Sequence, residues 1–201
     1  MDIICLDLEG TLVPEIWISF SEKTGIGQLK ITTRDEPDYD KLMRYRMDIL
    51  RQHHLGLKDI QEVIGTMAPL EGAKEFLDDL RRHTQVVILS DTFSEFAGPL
   101  MQKLGWPMIM CNSLRVDEDG MISDYVMRLQ DGKRKEIQAF KRLNYRTFAA
   151  GDSYNDLTMI HEADGGCLFR APQKILEEEP GLQIAQTYGE FATIIRSFLA
   201  K

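Results

Sequence analysis

The chain opens on a continuous apolar run, Ile3-Ile4-Cys5-Leu6, that stops at an acid, Asp7. A strand with no polar alternation has no side to give to water, so it must be covered on both faces, as parallel strands are in α/β proteins. Similar runs return at Val86-Val87-Ile88-Leu89, Met108-Ile109-Met110-Cys111, Thr147-Phe148-Ala149-Ala150 and Cys167-Leu168-Phe169. Between them, apolar residues recur at helical spacing. Ala73, Phe76, Leu77 and Leu80 do so within 72–82, Ile137, Phe140 and Leu143 within 134–143, and Phe191, Ile194, Ile195 and Phe198 within 189–199. Alternating strands and helices predict an α/β fold with a doubly wound parallel sheet.

Two stretches depart from the alternation. Residues 14–69 hold no strand pattern and read as helices over 16–24, 39–52 and 58–67, with Pro14 and Pro69 near the two ends. This is the pattern of a small helical cap inserted after the first strand. It divides the chain into a core of 1–13 and 70–201 and a cap of 14–69. Residues 113–127 read as a β-hairpin, Leu114-Arg115-Val116 and Met121-Ile122 flanking a Gly-containing turn.

A chain of 201 residues suffices for one core and a small insert. Its formal net charge of −8 carries no basic footprint for nucleic acid. An acidic protein that binds a small phosphate needs a local cation, and a bound metal is the natural one. Cys5, Cys111 and Cys167 are odd in number, lie in or beside apolar runs and have no metal-ligand spacing, so they read as reduced and buried in a cytoplasmic protein. No segment reaches the roughly 20 apolar residues of a membrane helix, and the N-terminus lacks the basic flank of a signal peptide. The sequence is compatible with a homodimer and does not specify one.

Four elements carry chemistry. Asp7 and Glu9 follow the first strand, two residues apart, where open α/β sheets bind ligands. One carboxylate there can attack phosphorus while the other handles protons. Gly151-Asp152-Ser153-Tyr154-Asn155-Asp156 follows another strand, so Asp152 can meet Asp7 across neighbouring strand ends, and hard carboxylates with open positions suit Mg²⁺. Ser90-Asp91-Thr92 offers a hydroxyl and backbone N–H groups to phosphate, and Thr92 with Glu95 has the spacing of a helix capping box. Lys133 opens a predicted helix, against the helix dipole, which favours a role facing anions.

In this order the four elements resemble the haloacid-dehalogenase superfamily of aspartate-nucleophile phosphotransferases, across residues 3–156. The resemblance implies a Rossmann-like core with Asp7 as nucleophile and Glu9 as general acid and base, its main-chain carbonyl a metal ligand. It further implies Ser90 and Lys133 on the phosphoryl group, Asp152 on Mg²⁺, and Asp156 supporting the metal or Lys133. The superfamily usually has Asp where this chain has Glu9, so the second carboxylate stands one methylene further out. Asp-Leu-Glu-Gly-Thr-Leu-Val-Pro-Glu-Ile-Trp at 7–17, Leu-Ser-Asp-Thr-Phe at 89–93 and Ala-Gly-Asp-Ser-Tyr-Asn-Asp at 150–156 are similar to the phosphoserine phosphatase family, in particular its phosphoserine:homoserine phosphotransferase subgroup. That likeness implies phosphoserine and homoserine as substrates, Glu15 on the substrate ammonium, Arg46 on its carboxylate and Asn155 completing the contacts. Asp91 stands where ordinary phosphoserine phosphatases have Gly.

Two other classes share part of this pattern. A phosphoacceptor signalling module also combines an acid cluster, a hydroxyl and a lysine, but its phosphorylated Asp follows a middle strand. A silent small-molecule-binding relative would not need every catalytic group, and here all are present.

Overall fold

In the computed structural model, which describes residues 1–33, 35–36 and 38–201, the apolar runs become strands of one sheet. Strand β1 (Asp2–Leu6) lies between β2 (Gln85–Phe93) and β5 (Arg146–Gly151), parallel to both. Beyond β2 come β3 (Met108–Val116) and β4 (Ile122–Val126), and beyond β5 come β6 (Gly165–Phe169) and β7 (Gln183–Ala185). The order is β4-β3-β2-β1-β5-β6-β7, and β4 alone runs antiparallel to its neighbour.

The central position of β1 follows from its composition. Ile4 and Leu6 join an apolar cluster on one face with Ile88, Phe148 and Phe169, while Ile3 and Cys5 join one on the other with Val87, Leu89 and Ala149. The helices α4 (Ala73–Arg81), α5 (Ser94–Lys103) and α9 (Tyr188–Leu199) cover the first face through Phe76, Phe96 and Phe191. Helices α6 (Gly132–Arg142), α7 (Tyr154–Glu162) and α8 (Gln173–Glu178) cover the second through Ile137, Met159 and Ile175. Burying such a side chain contributes about 1.5–3 kcal/mol, so both faces of the sheet are held.

The hairpin at 113–127 is present, with Gly120 in the left-handed region at φ 82°. It is an extension of β3 rather than a separate strand, since β3 runs unbroken from Met108 to Val116. β4 pairs with residues 113–116 of β3, so among the described residues the run at 108–111 has no strand partner on that side. Met108 is 55% exposed, and Cys111 is half-buried rather than buried. All three cysteines are free thiols.

Helices α1 (Ile16–Thr24), α2 (Tyr39–Gln52) and α3 (Leu57–Thr66), with a short 3-10 turn at Gly27–Lys30, fill the segment that lacks strands. Asp38 caps α2 by accepting from the Lys41 N–H. Their apolar sides, Trp17, Phe20, Met47 and Ile60, run into the same cluster as Phe96 and Ile122. Polar links fix them as well: the Leu57 N–H donates to the Gly120 carbonyl, the Gln61 amide to the Glu95 carbonyl and the Tyr125 hydroxyl to Asp40. Among the described residues, no helix is long and apolar enough to cross a membrane.

Candidate active site

The chain leaves β1 in a tight turn, with the N–H groups of Leu12 and Val13 both donating to the Leu8 carbonyl. Gly10 makes the turn possible twice over. Its φ is 79°, and a Cβ there would stand 2.6 Å from the Asp152 carboxyl carbon. Asp7 and Asp152, at the ends of the adjacent strands β1 and β5, are thereby brought close, both buried. The carboxylates of Asp7, Asp152 and Asp156 can present oxygens within 4.8 Å of one another.

Lys133 enters from the first turn of α6 and is 4% exposed. Its Nζ lies 2.6 Å from Asp7 Oδ1, 2.7 Å from Asp156 Oδ1 and 3.7 Å from Asp91 Oδ2. Asp156 turns its other oxygen to the N–H groups of Asp152 and Ser153 and to the Ser153 hydroxyl. Both its oxygens are therefore engaged, and it sits behind the site, holding Lys133 and the β5–α7 turn. Burial pushes the Asp7 carboxyl well above the usual carboxylate range; Lys133 pulls it back, and Asp156 and Asp152 push it up again. Burial by itself would lower the Lys133 ammonium, but Asp156 and Asp7 together outweigh it and hold it well above the usual lysine range. Three acids against one lysine leave the cluster negative, and hard oxygens at this spacing fit a small dication such as Mg²⁺.

A cavity of about 90 Å³ opens beside this cluster. Asp7, Glu9, Glu15, Arg46, Ser90, Asp91, Lys133, Asp152 and Asn155 all line it, so the residues singled out in the sequence share one pocket, with Asp156 beneath its floor. Glu9 reaches away from the acid cluster, and its Oε2 accepts from the Ile16 N–H at the start of α1. Its carboxyl is pushed up to about 7, chiefly by burial and then by Glu15, while the Ile16 N–H and Arg46 oppose the rise. Arg46 is 6% exposed; it stacks 4.6 Å over the Trp17 ring and donates to the Ile31 carbonyl, and its Nε has no hydrogen-bond partner among the described residues. Burial lowers its guanidinium to about 10, with Tyr39, Glu9 and Glu15 opposing the drop, so it stays charged at neutral pH.

The capping box expected of Thr92 and Glu95 does not form. β2 runs on through Phe93, which pairs with Asn112 of β3 and itself caps α5. Glu95 instead accepts from the Leu114 N–H and the Ser94 hydroxyl. Ser90 faces the pocket from this strand extension rather than from a helix start, its Oγ accepting from the Thr92 N–H. The sequence reading missed Trp17, Thr32, Thr33, Tyr39, Thr92 and Phe93 in the pocket wall. For Tyr39 the signal was present: it precedes Arg46 by seven residues, two helical turns, on one helix face.

The haloacid dehalogenase-like hydrolase family profile matches residues 1–164. The chain is 57% identical over 188 residues to phosphoserine phosphatase ThrH of Pseudomonas aeruginosa, covering 94% of this chain and 92% of that protein. It is 56% identical over 190 residues to the phosphoserine phosphatase of Pseudomonas syringae pv. tomato, covering 94% of this chain and 80% of the relative. Among solved structures, a substrate-bound phosphoserine phosphatase complex superposes with a TM-score of 0.77 at 21% identity, covering 100% of this chain and 97% of that one. A phospho-aspartyl intermediate analogue of phosphoserine phosphatase gives 0.76 at 22% identity, covering 99% and 97%. At these identities the two superpositions speak to the fold.

Proposed function

This chain belongs to the haloacid dehalogenase-like hydrolase family, and from that premise we propose that it is an Mg²⁺-dependent phosphoserine phosphatase and phosphotransferase that carries the phosphoryl group on Asp7. The observation that carries the reading is a pocket with two unlike ends. One end holds Asp7 against the buried Lys133, and the other holds a buried, incompletely partnered arginine beside Glu15. The first suits a phosphoryl group. The second suits an amino acid, whose carboxylate matches the Arg46 fork and whose ammonium matches Glu15. The curated relatives named phosphoserine phosphatase support the same substrate.

Asp7, Asp152 and the main-chain carbonyl of Glu9 would hold Mg²⁺, with Asp156 supporting the cluster from behind. When bound, the ion supplies positive charge against the phosphoryl oxygens. The residues of segment 14–69 act as a cap that brings Glu15 and Arg46 over the core. An Asp7 oxygen attacks phosphorus while the ester P–O bond breaks, and Glu9 gives its proton to the departing serine oxygen. An incoming O–H then loses its proton to Glu9 as its oxygen attacks the same phosphorus, and the bond to Asp7 breaks. Lys133 and Ser90 hold the equatorial oxygens throughout, where charge neutralisation supplies most of the acceleration. A carboxyl near 7 serves both halves, because a proton donor and a proton acceptor are both populated at neutral pH. The acceptor is water or homoserine, as the subgroup motifs at 7–17, 89–93 and 150–156 imply.

The test is ³¹P NMR of the protein with Mg²⁺ and phosphoserine, with and without homoserine. Free phosphate is expected without homoserine, and phosphohomoserine in its presence. Phosphate with no phosphohomoserine in either sample would remove the transferase half of the proposal, and no turnover would remove the substrate.

A further inference from the structure

Tyr39 and Arg46 both line the pocket from α2, two turns apart. The Tyr39 hydroxyl crosses from this helix to the sheet and donates to the Asp91 main-chain carbonyl at 3.0 Å. That oxygen also accepts from the Asn112 amide of β3 at 3.2 Å. A carbonyl has two acceptor sites, and here one is held by the sheet itself and the other by the helix that carries Arg46. Asp91 lies between Ser90 and Thr92, which also line the pocket. Its carboxylate accepts from Asn155 Nδ2 at 2.9 Å and stands 3.7 Å from Lys133 Nζ. The Tyr39 ring is fixed separately, edge-on to Tyr125 at 5.8 Å, and Tyr125 donates to Asp40 at 2.6 Å. The ring therefore keeps its place by packing, with Tyr125 in turn edge-on to Phe93 of β2, and the hydroxyl adds a direct hydrogen bond from α2 to the strand that carries Ser90.

We infer that Tyr39 is a specificity-determining positioning residue: its hydroxyl fixes the spacing between Arg46 and the Ser90–Asp91 segment, so that phosphate esters engaging both ends of the pocket react in preference to those engaging the phosphoryl end alone. The inference rests on the proposed function for what Arg46 binds. Tyr39→Phe keeps the ring on Tyr125, and Asn112 still partners the Asp91 carbonyl, so the fold retains its contacts.

The experiment is a double-mutant cycle of Tyr39→Phe and Arg46→Ala, read on phosphoserine and on p-nitrophenyl phosphate, which lacks an amino-acid body. Tyr39→Phe is expected to lower kcat/KM for phosphoserine about fivefold, the weight of one net hydrogen bond. It should change p-nitrophenyl phosphate by less than about twofold and have no further effect in the Arg46→Ala background. The thermal unfolding midpoint should stay close to that of the unsubstituted protein. Equal losses on both esters, no loss on either, or effects that multiply with Arg46→Ala would each overturn the inference. If the unsubstituted protein prefers another phosphate ester, the substrate proposal fails by itself, and the same cycle run on the preferred ester still decides the role of Tyr39.

Discussion

Replacing Lys133 with Met tests the charge arrangement at its centre. Lys133 is 4% exposed, and the two acids it hydrogen-bonds are 5% (Asp7) and 0% (Asp156) exposed. The substitution keeps an unbranched chain of similar length but leaves both carboxylates buried without their cation. Breaking a buried pair from one side costs about 3–5 kcal/mol, because the remaining charge can neither be solvated nor paired. In a protein of this size each kcal/mol moves the melting temperature by about 2–4 °C, so a fall of roughly 10 °C is expected at pH 7.5 in EDTA. The sign with pH is fixed by the direction of the Asp7 shift. Burial already raises the Asp7 carboxyl, and loss of Lys133 raises it further. A raised carboxyl contributes stability that is complete below its unfolded value, about 3.9, and is lost as pH rises through its folded value. The variant's deficit must therefore grow between pH 5 and pH 7.5, and adding Asp7→Asn should recover part of it. Calorimetry at the two pH values is the assay. A Lys133→Met protein that melts with the unsubstituted one, or whose deficit is the same at both pH values, would refute the reasoning. Turnover of phosphoserine should fall by about 10³-fold.

Further outcomes concern Glu9 and the glycine in the turn after β1. Glu9→Gln should lower kcat by about 10²–10⁴-fold and abolish the inflection near pH 7 in the pH–rate profile, measured by phosphate release; an unchanged inflection would mean another group titrates there. In the metal-free protein the same substitution should become increasingly stabilising as pH rises through 7, because it removes a carboxyl whose raised pKa withdraws stability there. Gly10→Ala should cost about 1–3 kcal/mol in urea unfolding and most of the activity, since φ is 79° and the new Cβ would meet the Asp152 carboxyl. Gly65→Ala within α3, where nothing among the described residues lies within 4 Å, should instead stabilise by about 0.5 kcal/mol, so similar effects at the two glycines would contradict the argument.

What the sequence makes legible is set by how far each determinant lies from its partner along the chain. The parallel core could be read because an unbroken apolar strand such as Ile3–Leu6 requires cover on both faces whatever its neighbours are. The acid-bearing turns after β1 and β5 could be read because strand end, glycine and carboxylate are adjacent in sequence. The misreading at Thr92 and Glu95 has the opposite origin. Their spacing satisfies a local rule, but the start of α5 is decided by Phe93 pairing with Asn112 on another strand, which keeps the chain extended past Thr92. β7 has three residues, two of them exposed, and gains its identity from pairing with β6, so no periodicity announces it. The exposure of Met108 is likewise a matter of which strand lies beside β3 and how far β4 reaches along it. Tyr39 belongs between these cases. Its helix phase relative to Arg46 is written in the chain, whereas its acceptor, the Asp91 carbonyl, is a main-chain atom 52 residues away that no side-chain pattern can announce. Chemistry carried by side-chain type at strand ends is thus visible in the sequence. Spacing between two ends of a pocket depends on contacts across elements, and it is there that substitutions such as Tyr39→Phe should separate specificity from catalysis.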